Sequence, residues 1–243
     1  MSDHQSFQRF AALAAIISFP LALASIVLTS AAMDFEMDAS MNPALLLSVG
    51  PDGARLLGWG LILDMFSYYL PLLPAALFLL HWLQPKSPNW VRFYTVCGVG
   101  YILIGAMGAT ILAATYPPLI RAYGQASASQ QVVLETIFST ITDLVYGGLW
   151  NILEVLLAGV WFIGIGLLLR NERRIFSVVS IILGISALLD SFGFILGIDA
   201  ISSLGLNIYL VLAPIWTLWL GIDLLRKPVQ ADSTLWRSRS VDR

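Results

Sequence analysis

Apolar residues along this chain gather into six long stretches, and polar residues are concentrated between them. An α-helix rises about 1.5 Å per residue, so about 20 apolar residues are needed to cross the hydrocarbon core of a bilayer. Every stretch reaches that length. We predict membrane-spanning helices at 8–32, 56–83, 91–116, 149–169, 175–198 and 204–225. The pattern therefore predicts an all-α polytopic membrane protein, with 1–226 forming a single six-helix transmembrane domain.

The composition agrees with this class and excludes others. Of the 243 residues, 58% are hydrophobic and 12% are charged, and the mean hydropathy is +0.82, whereas a soluble domain carries about 25% charged residues. The lipid bilayer is therefore the predicted partner. The net charge of −2 and the lack of a basic soluble domain argue against nucleic acid. Cys97 is the only cysteine, so we predict neither an internal disulfide nor a cysteine metal cluster, and no cofactor.

The positions of the basic residues predict the orientation of the chain. All of the 13 Lys and Arg residues except Arg55 and Arg121 fall at the side of the predicted bundle that holds both termini. Because cytoplasmic loops carry an excess of Lys and Arg, both termini are predicted to be cytoplasmic. The tail, 227–243, mixes basic residues with Asp232 and Asp242 and is predicted to be disordered.

The segment before the fourth predicted span has a different pattern. A continuous helix over 130–169 would be about 60 Å long, twice the hydrocarbon thickness, so we predict a break at Gly147-Gly148. Ser127 and Gln130 form a capping box for an outer amphipathic helix near 128–146. Its apolar stripe comprises Val133, Ile137, Ile141, Leu144 and Val145, and its polar side comprises Gln131, Glu135, Ser139, Thr142 and Tyr146. Two interpretations remain open, a surface helix with a solvated face and a re-entrant or lid element.

Three acidic residues, Asp64, Glu154 and Asp190, lie inside predicted spans that contain no Lys or Arg. An ionised acid in hydrocarbon costs several kcal/mol, so each must face an interior, be protonated or hold a cation. Counted from the outer ends of their spans, the acids lie about 12, 8 and 12 Å deep. We therefore predict that they share one layer in the outer half of the bundle.

Polar residues near the same depth complete the predicted site. Tyr68 lies one turn from Asp64, and Asn151 lies three residues before Glu154. If the helix were continuous, Asp143 would return almost into phase with Glu154 after 11 residues. The candidates for binding a substrate or cation are Asp64, Glu154, Asp190, Asn151, Tyr68, Asn207 and Asp143.

These residues support three hypotheses of different class. The first is an outward-facing acidic cavity that binds or transports a small solute, linked to a proton or another cation. The second is a non-catalytic bundle that assembles with or regulates membrane proteins as a homo- or hetero-oligomer, with the acids as hydrogen-bonded links between helices. The third is an intramembrane hydrolase that uses Asp64 and Asp190.

The histidine content favours the two hypotheses without catalysis. His4 and His81 are the only histidines, and neither lies at the predicted depth of the acids. A zinc site or a Ser-His dyad in that layer would lack its imidazoles. We assign no catalytic residue and no metal ligand.

The last predicted span carries the sequence Pro214-Ile215-Trp216-Thr217-Leu218-Trp219-Leu220-Gly221, and the basic pair Arg226-Lys227 follows it. Together with six spans, this layout resembles a family of bacterial integral membrane proteins that is defined by a domain of unknown function. The resemblance implies a multi-pass protein of the bacterial inner membrane of about this size. It implies no catalytic residues.

Overall fold

The computed structural model describes residues 3–35 and 43–226, and all regular secondary structure in these ranges is helical. The predicted tail, 227–243, lies outside the described residues. The α-helices are α1 Asp3–Ala32, α2 Pro43–Ser48, α3 Gly50–Asp64, α4 Leu72–Leu83, α5 Pro88–Tyr123, α6 Ala128–Thr142, α7 Val155–Leu169, α8 Arg174–Ile195 and α9 Asp199–Arg226. Two π-helical segments interrupt the α-helical winding: the first, Met65–Tyr69, lies between α3 and α4, and the second, Asp143–Glu154, joins α6 to α7.

In the described residues, six continuous helical rods are long and apolar enough to cross a bilayer. This confirms the predicted fold class and the predicted number of spans. The rods are Asp3–Ala32, Gly50–Leu83, Pro88–Tyr123, Ala128–Leu169, Arg174–Ile195 and Asp199–Arg226. We call the end of the bundle that holds α2 and the start of α6 the distal end, and the opposite end, which holds residues 3 and 226, the terminal end.

The six rods pack as a closed ring. Going round the ring, α1 packs on α3, α3 on α5, α5 on α7, α7 on α8, α8 on α9, and α9 returns to α1. Large aromatic side chains fill the interior, where Trp161 lies against Tyr101, Phe162 and Trp216. The centre of the bundle is thus a packed core.

Close approach of α7 and α8 depends on a pair of glycines. A Cβ atom added to Gly184 would lie 2.7 Å from the carbonyl oxygen of Gly159, and one added to Gly159 would lie 2.9 Å from the carbonyl oxygen of Gly184. Small residues at a helix crossing allow two backbones to approach and gain van der Waals contact, which is a main source of helix association in lipid.

The predicted break at Gly147-Gly148 is wrong, because the fourth rod runs from Ala128 to Leu169 without interruption. The glycine pair lies inside the second π-helical segment. A break within the hydrocarbon would leave backbone N–H and C=O groups without partners, whereas a π-helical winding keeps these groups bonded within the helix. The predicted capping box at Ser127 and Gln130 is present.

The predicted helix near 128–146 is present as α6. Of its two interpretations, the surface helix with a solvated face fits less well, because residues of the polar side contact α5. Tyr123 donates its hydroxyl to Glu135 Oε1 at 2.6 Å, and the hydroxyl oxygens of Tyr116 and Thr142 are 2.8 Å apart. Val133 and Ile137, from the predicted apolar stripe, are instead exposed. An apolar exterior with polar groups turned inward suits a helix next to lipid, because lipid cannot hydrogen-bond polar groups.

Ion pairs join three segments at the terminal end. Lys86 Nζ lies 2.5 Å from Glu172 Oε1, and Arg173 Nη1 lies 2.9 Å from Asp223 Oδ1. Both cationic groups also lie 5.7 Å from the centre of the Trp82 ring, within the range of a cation–π interaction. These contacts, which we call the terminal clamp, tie the α4–α5 turn and the α7–α8 turn to α9.

We predict that Gly184→Ala lowers the thermal unfolding temperature in detergent micelles. The added methyl group meets backbone atoms of α7, which cannot rotate away, and overpacking of this kind costs about 1–3 kcal/mol. Gly148→Ala is the matched control, because no atom lies within 4 Å of the added Cβ. Equal unfolding temperatures for the two variants would contradict the close crossing of α7 and α8.

Candidate functional site

Glu154 lies at the centre of the candidate site. It is only 2% exposed, and its Oε2 atom accepts a hydrogen bond from the Tyr69 hydroxyl at 3.2 Å. Tyr69 is the last residue of the first π-helical segment, and Glu154 is the last residue of the second. One hydrogen bond therefore connects the only two positions, in the described residues, where π-helical winding ends.

The first π-helical segment brings Tyr69 to the side of the helix that carries Asp64. The Leu70 N–H donates to the Met65 carbonyl oxygen at 3.1 Å, five residues back. Five residues are well over one turn of an α-helix, which has 3.6 residues per turn, whereas π-helical hydrogen bonding joins residues i and i+5. Asp64 and Tyr69 thus lie near each other, close enough to interact electrostatically.

The other two acids lie within electrostatic range of Glu154. Asp64 is half-buried, and Asp64 and Asp190 each act electrostatically on Glu154. Within the described ranges, none of the three acids forms an ion pair with a basic residue. The described residues therefore supply no basic side chain to neutralise these acids.

Asp190 is completely buried and only partly hydrogen-bonded. The Ser202 hydroxyl donates to its Oδ1 atom at 2.6 Å, while its Oδ2 atom is buried without a hydrogen-bond partner in the described residues. A side chain on Gly205 would collide with the backbone of Asp190, so α8 and α9 cross closely here. An unpaired buried carboxylate oxygen has an unused capacity for a proton or a polar group.

Tyrosines form the wall of the site towards α5 and α9. The Tyr101 hydroxyl donates to the Tyr68 carbonyl oxygen, in the first π-helical segment, at 3.1 Å. The buried Tyr209 hydroxyl lies near Tyr101 and interacts with it electrostatically, but the two side chains do not form a hydrogen bond. The site therefore offers phenolic hydroxyl groups beside its acids and no imidazole.

Neighbouring helices also hold the second π-helical segment in place. The Ser191 hydroxyl on α8 donates to the Ile152 carbonyl oxygen at 3.2 Å. Trp150 Nε1 donates to the Gly105 carbonyl oxygen on α5 at 3.2 Å. Both bonds lie within two turns of Glu154, so its position is fixed from two sides.

The structure brings four of the predicted site residues together and separates the others. The four that share the buried cluster are Asp64, Glu154, Asp190 and Tyr68. Asn207 is exposed on α9 and donates to the Ser203 carbonyl oxygen at 2.8 Å. Asn151 is half-buried on the second π-helical segment.

Asp143 is exposed, although a continuous helix was predicted to bring it almost into phase with Glu154. The prediction assumed α-helical winding, in which 11 residues make about three full turns. The residues between them are π-helical, and the wider π turn no longer completes whole turns in that distance. The two acids therefore point to different sides of the rod.

Sequence reasoning missed Tyr69, Tyr101, Tyr209 and Ser202 as members of the site. An α-helical period places Tyr69 on a different side of its helix from Asp64, so Tyr69 was not included. No local sequence pattern marks the other three residues. The common signal is chemical, because each is a hydroxyl-bearing residue within an apolar span, and such groups need a partner inside the protein.

Glu154 and Asp190 are buried, whereas Asp64 is half-buried. Two grooves lie at the distal end, and neither is lined by Asp64, Glu154 or Asp190. Among the described residues, no three His, Cys, Asp or Glu side chains converge as a possible metal site. The cluster thus combines carboxyl groups with hydroxyl groups that donate hydrogen bonds, and its central member, Glu154, is buried.

Comparison with models of protein families gives a match over most of the chain. A family model described as "Domain of unknown function (DUF4386)" matches residues 10–227. The chain belongs to the DUF4386 family. This match confirms the resemblance to a family defined by a domain of unknown function, and the DUF4386 domain extends from α1 to the end of α9. No curated protein and no solved structure matches the chain.

We predict that Ser202→Ala destabilises this DUF4386 chain by about 1–3 kcal/mol, because it leaves both oxygens of the buried Asp190 without a partner. The loss is measured as a lower thermal unfolding temperature in detergent micelles. Ser203→Ala, at an exposed neighbouring position, is the control and should unfold like the wild type. A Ser202→Ala variant as stable as the control would show that the Asp190 contact contributes nothing.

Proposed function

We propose that this membrane protein binds a small solute in a proton-linked manner and moves it through the bundle, with Glu154 as the proton-exchanging group. The observation that carries the proposal is the hydrogen bond between Glu154 and Tyr69 at the ends of the two π-helical segments. π-Helical turns inside α-helices are frequently found at functional sites. Buried intramembrane acids frequently mark proton and ion pathways.

A proton fits the chemistry of the site better than a metal ion does. Glu154 has a single hydrogen-bond donor, Tyr69, and its acidic neighbours act on it from outside hydrogen-bonding range. A metal ion needs several oxygen ligands converging on one point. A single carboxylate can bind a proton alone.

The π-helical segments suggest how proton exchange could change the shape of the bundle. Rewinding a π turn to an α turn shifts the following residues by one position, which would separate Glu154 from Tyr69. Loss of that bond would free the second and fourth rods at the depth of the acids. Solute would then reach the acids from the distal end, since the terminal clamp holds the opposite end closed.

We further propose that the protein lies in the bacterial inner membrane with both termini in the cytoplasm, so that the distal end faces outward. The distribution of Lys and Arg supports this orientation. Residues 1–226 would then act as one transmembrane domain, and the site would take its solute from the outer side.

We predict a pH-dependent infrared signal from Glu154 in protein reconstituted in lipid nanodiscs. The carbonyl stretch of a protonated carboxyl group should change in intensity between mildly acidic and mildly alkaline buffer. Glu154→Gln should remove the share of this intensity change that comes from one carboxyl group, because the amide does not exchange a proton in this pH range. The amide oxygen can still accept the hydrogen bond from Tyr69. Tyr69→Phe should shift the frequency of the Glu154 carboxyl band, because it removes the hydrogen bond to Glu154 Oε2.

Asp199→Asn is the control, because Asp199 is exposed at the start of α9, and this variant should leave the Glu154 signal unchanged. If Glu154→Gln has the same pH-dependent band as the wild type, Glu154 does not exchange a proton and the proposal fails. The acids would then be hydrogen-bonded links between helices in a non-catalytic bundle.

A further inference from the structure

We propose that the distal end carries a binding site for an anionic phospholipid, in the groove between α3 and α5. The groove has a volume of about 450 Å³. Its upper part is polar and includes Asp52, Arg55 and Arg121, and its lower part is apolar. It is separate from the acid cluster, so this site does not depend on the proposed proton exchange.

Both arginines that the described residues place at the distal end line this one groove. Arg55 comes from α3 and Arg121 from α5, so they stand on opposite walls. Basic residues are depleted on the outer side of membrane proteins, which makes their convergence at one place informative. Arginine is also the side chain best suited to phosphate, because its planar guanidinium group donates two parallel hydrogen bonds.

The charge of the groove matches a phosphodiester. Arg55 Nη2 lies 3.3 Å from Asp52 Oδ1, but their side chains are 71% and 91% exposed, so water screens this pair. Arg121 forms no ion pair with the described residues. Two guanidinium groups and one carboxylate leave a net charge of about +1, which complements the single negative charge of a phosphodiester headgroup.

The lower part of the groove suits an acyl chain. Trp59 and Ile62 from α3 face Ala113 and Pro117 from α5. A Cβ added to Gly58 would lie 3.0 Å from Pro117 Cγ, so the helices meet closely beside the groove. Trp59 is exposed next to the arginines, at the depth where tryptophan side chains prefer the boundary between headgroups and hydrocarbon.

Exposed apolar residues continue the groove towards the middle of the bilayer. Phe66 is exposed further along the rod that carries Trp59, and Met107 precedes Ala114 and Arg121 at intervals of seven residues along α5. A soluble anion would contact the arginines and leave this apolar surface uncovered. A phospholipid covers both parts, which is why we assign the groove to a lipid.

The test is native mass spectrometry of the purified full-length protein with added phosphatidylglycerol or phosphatidylcholine. We expect the wild type to retain a phosphatidylglycerol molecule at least about tenfold more tightly than phosphatidylcholine. The double variant Arg55→Gln/Arg121→Gln should lose this preference. The matched control, Arg170→Gln/Arg174→Gln, removes the same charge from the terminal end and should keep the preference.

Ala113→Phe separates a lipid site from a site for a soluble anion, because it fills the apolar part and leaves both arginines in place. It should weaken phosphatidylglycerol binding about tenfold. Glycerol 3-phosphate should not compete in the wild type. Equal retention of the two lipids, unchanged binding in the distal double variant, or displacement by glycerol 3-phosphate would each overturn the proposal. Unchanged lipid binding in Ala113→Phe would overturn it too.

Discussion

A carboxyl group buried among apolar helices has to find its hydrogen-bond partner within the protein, and the contact between Glu154 and Tyr69 meets this requirement. Both residues end π-helical segments, so the same bond also fixes the relative register of the second and fourth rods. The position of Asp64 relative to Glu154 follows from that register, because Asp64 directly precedes the first π-helical segment. The candidate site is therefore a property of helix winding as much as of residue type.

The same constraint explains why polar side chains in this bundle turn inward. Ser202 reaches Asp190, Tyr123 reaches Glu135, and Thr142 lies beside Tyr116, while many large apolar side chains remain exposed. Apolar side chains gain little by leaving lipid for a protein interior, so packing of small residues and polar contacts have to hold the helices together. The crossing of α7 and α8 at Gly159 and Gly184 supplies such packing.

The sequence was sufficient for the six spans and the fold class, because span length and apolar content are read directly from residue types. It was also sufficient to bring Asp64, Glu154 and Asp190 into one neighbourhood, because depth scales with position along a helix. It failed for Asp143, Tyr69 and the orientation of α6. The positions of Asp143 and Tyr69 depend on π-helical winding, and the orientation of α6 depends on which helix packs against it. A short stretch of residues determines neither.

The terminal clamp makes the two ends of the bundle mechanically unequal. Its two ion pairs join the α4–α5 turn and the α7–α8 turn to α9 around Trp82. The paired residues are Lys86 with Glu172 and Arg173 with Asp223. The described ion pair at the distal end joins two exposed residues of the same helix, so it restrains no neighbouring helix. Rigid helices fastened at one end can move apart only by tilting about that end. In the opening that we propose, the terminal clamp would act as the pivot, and small tilts near it would become the largest displacements at the distal rim.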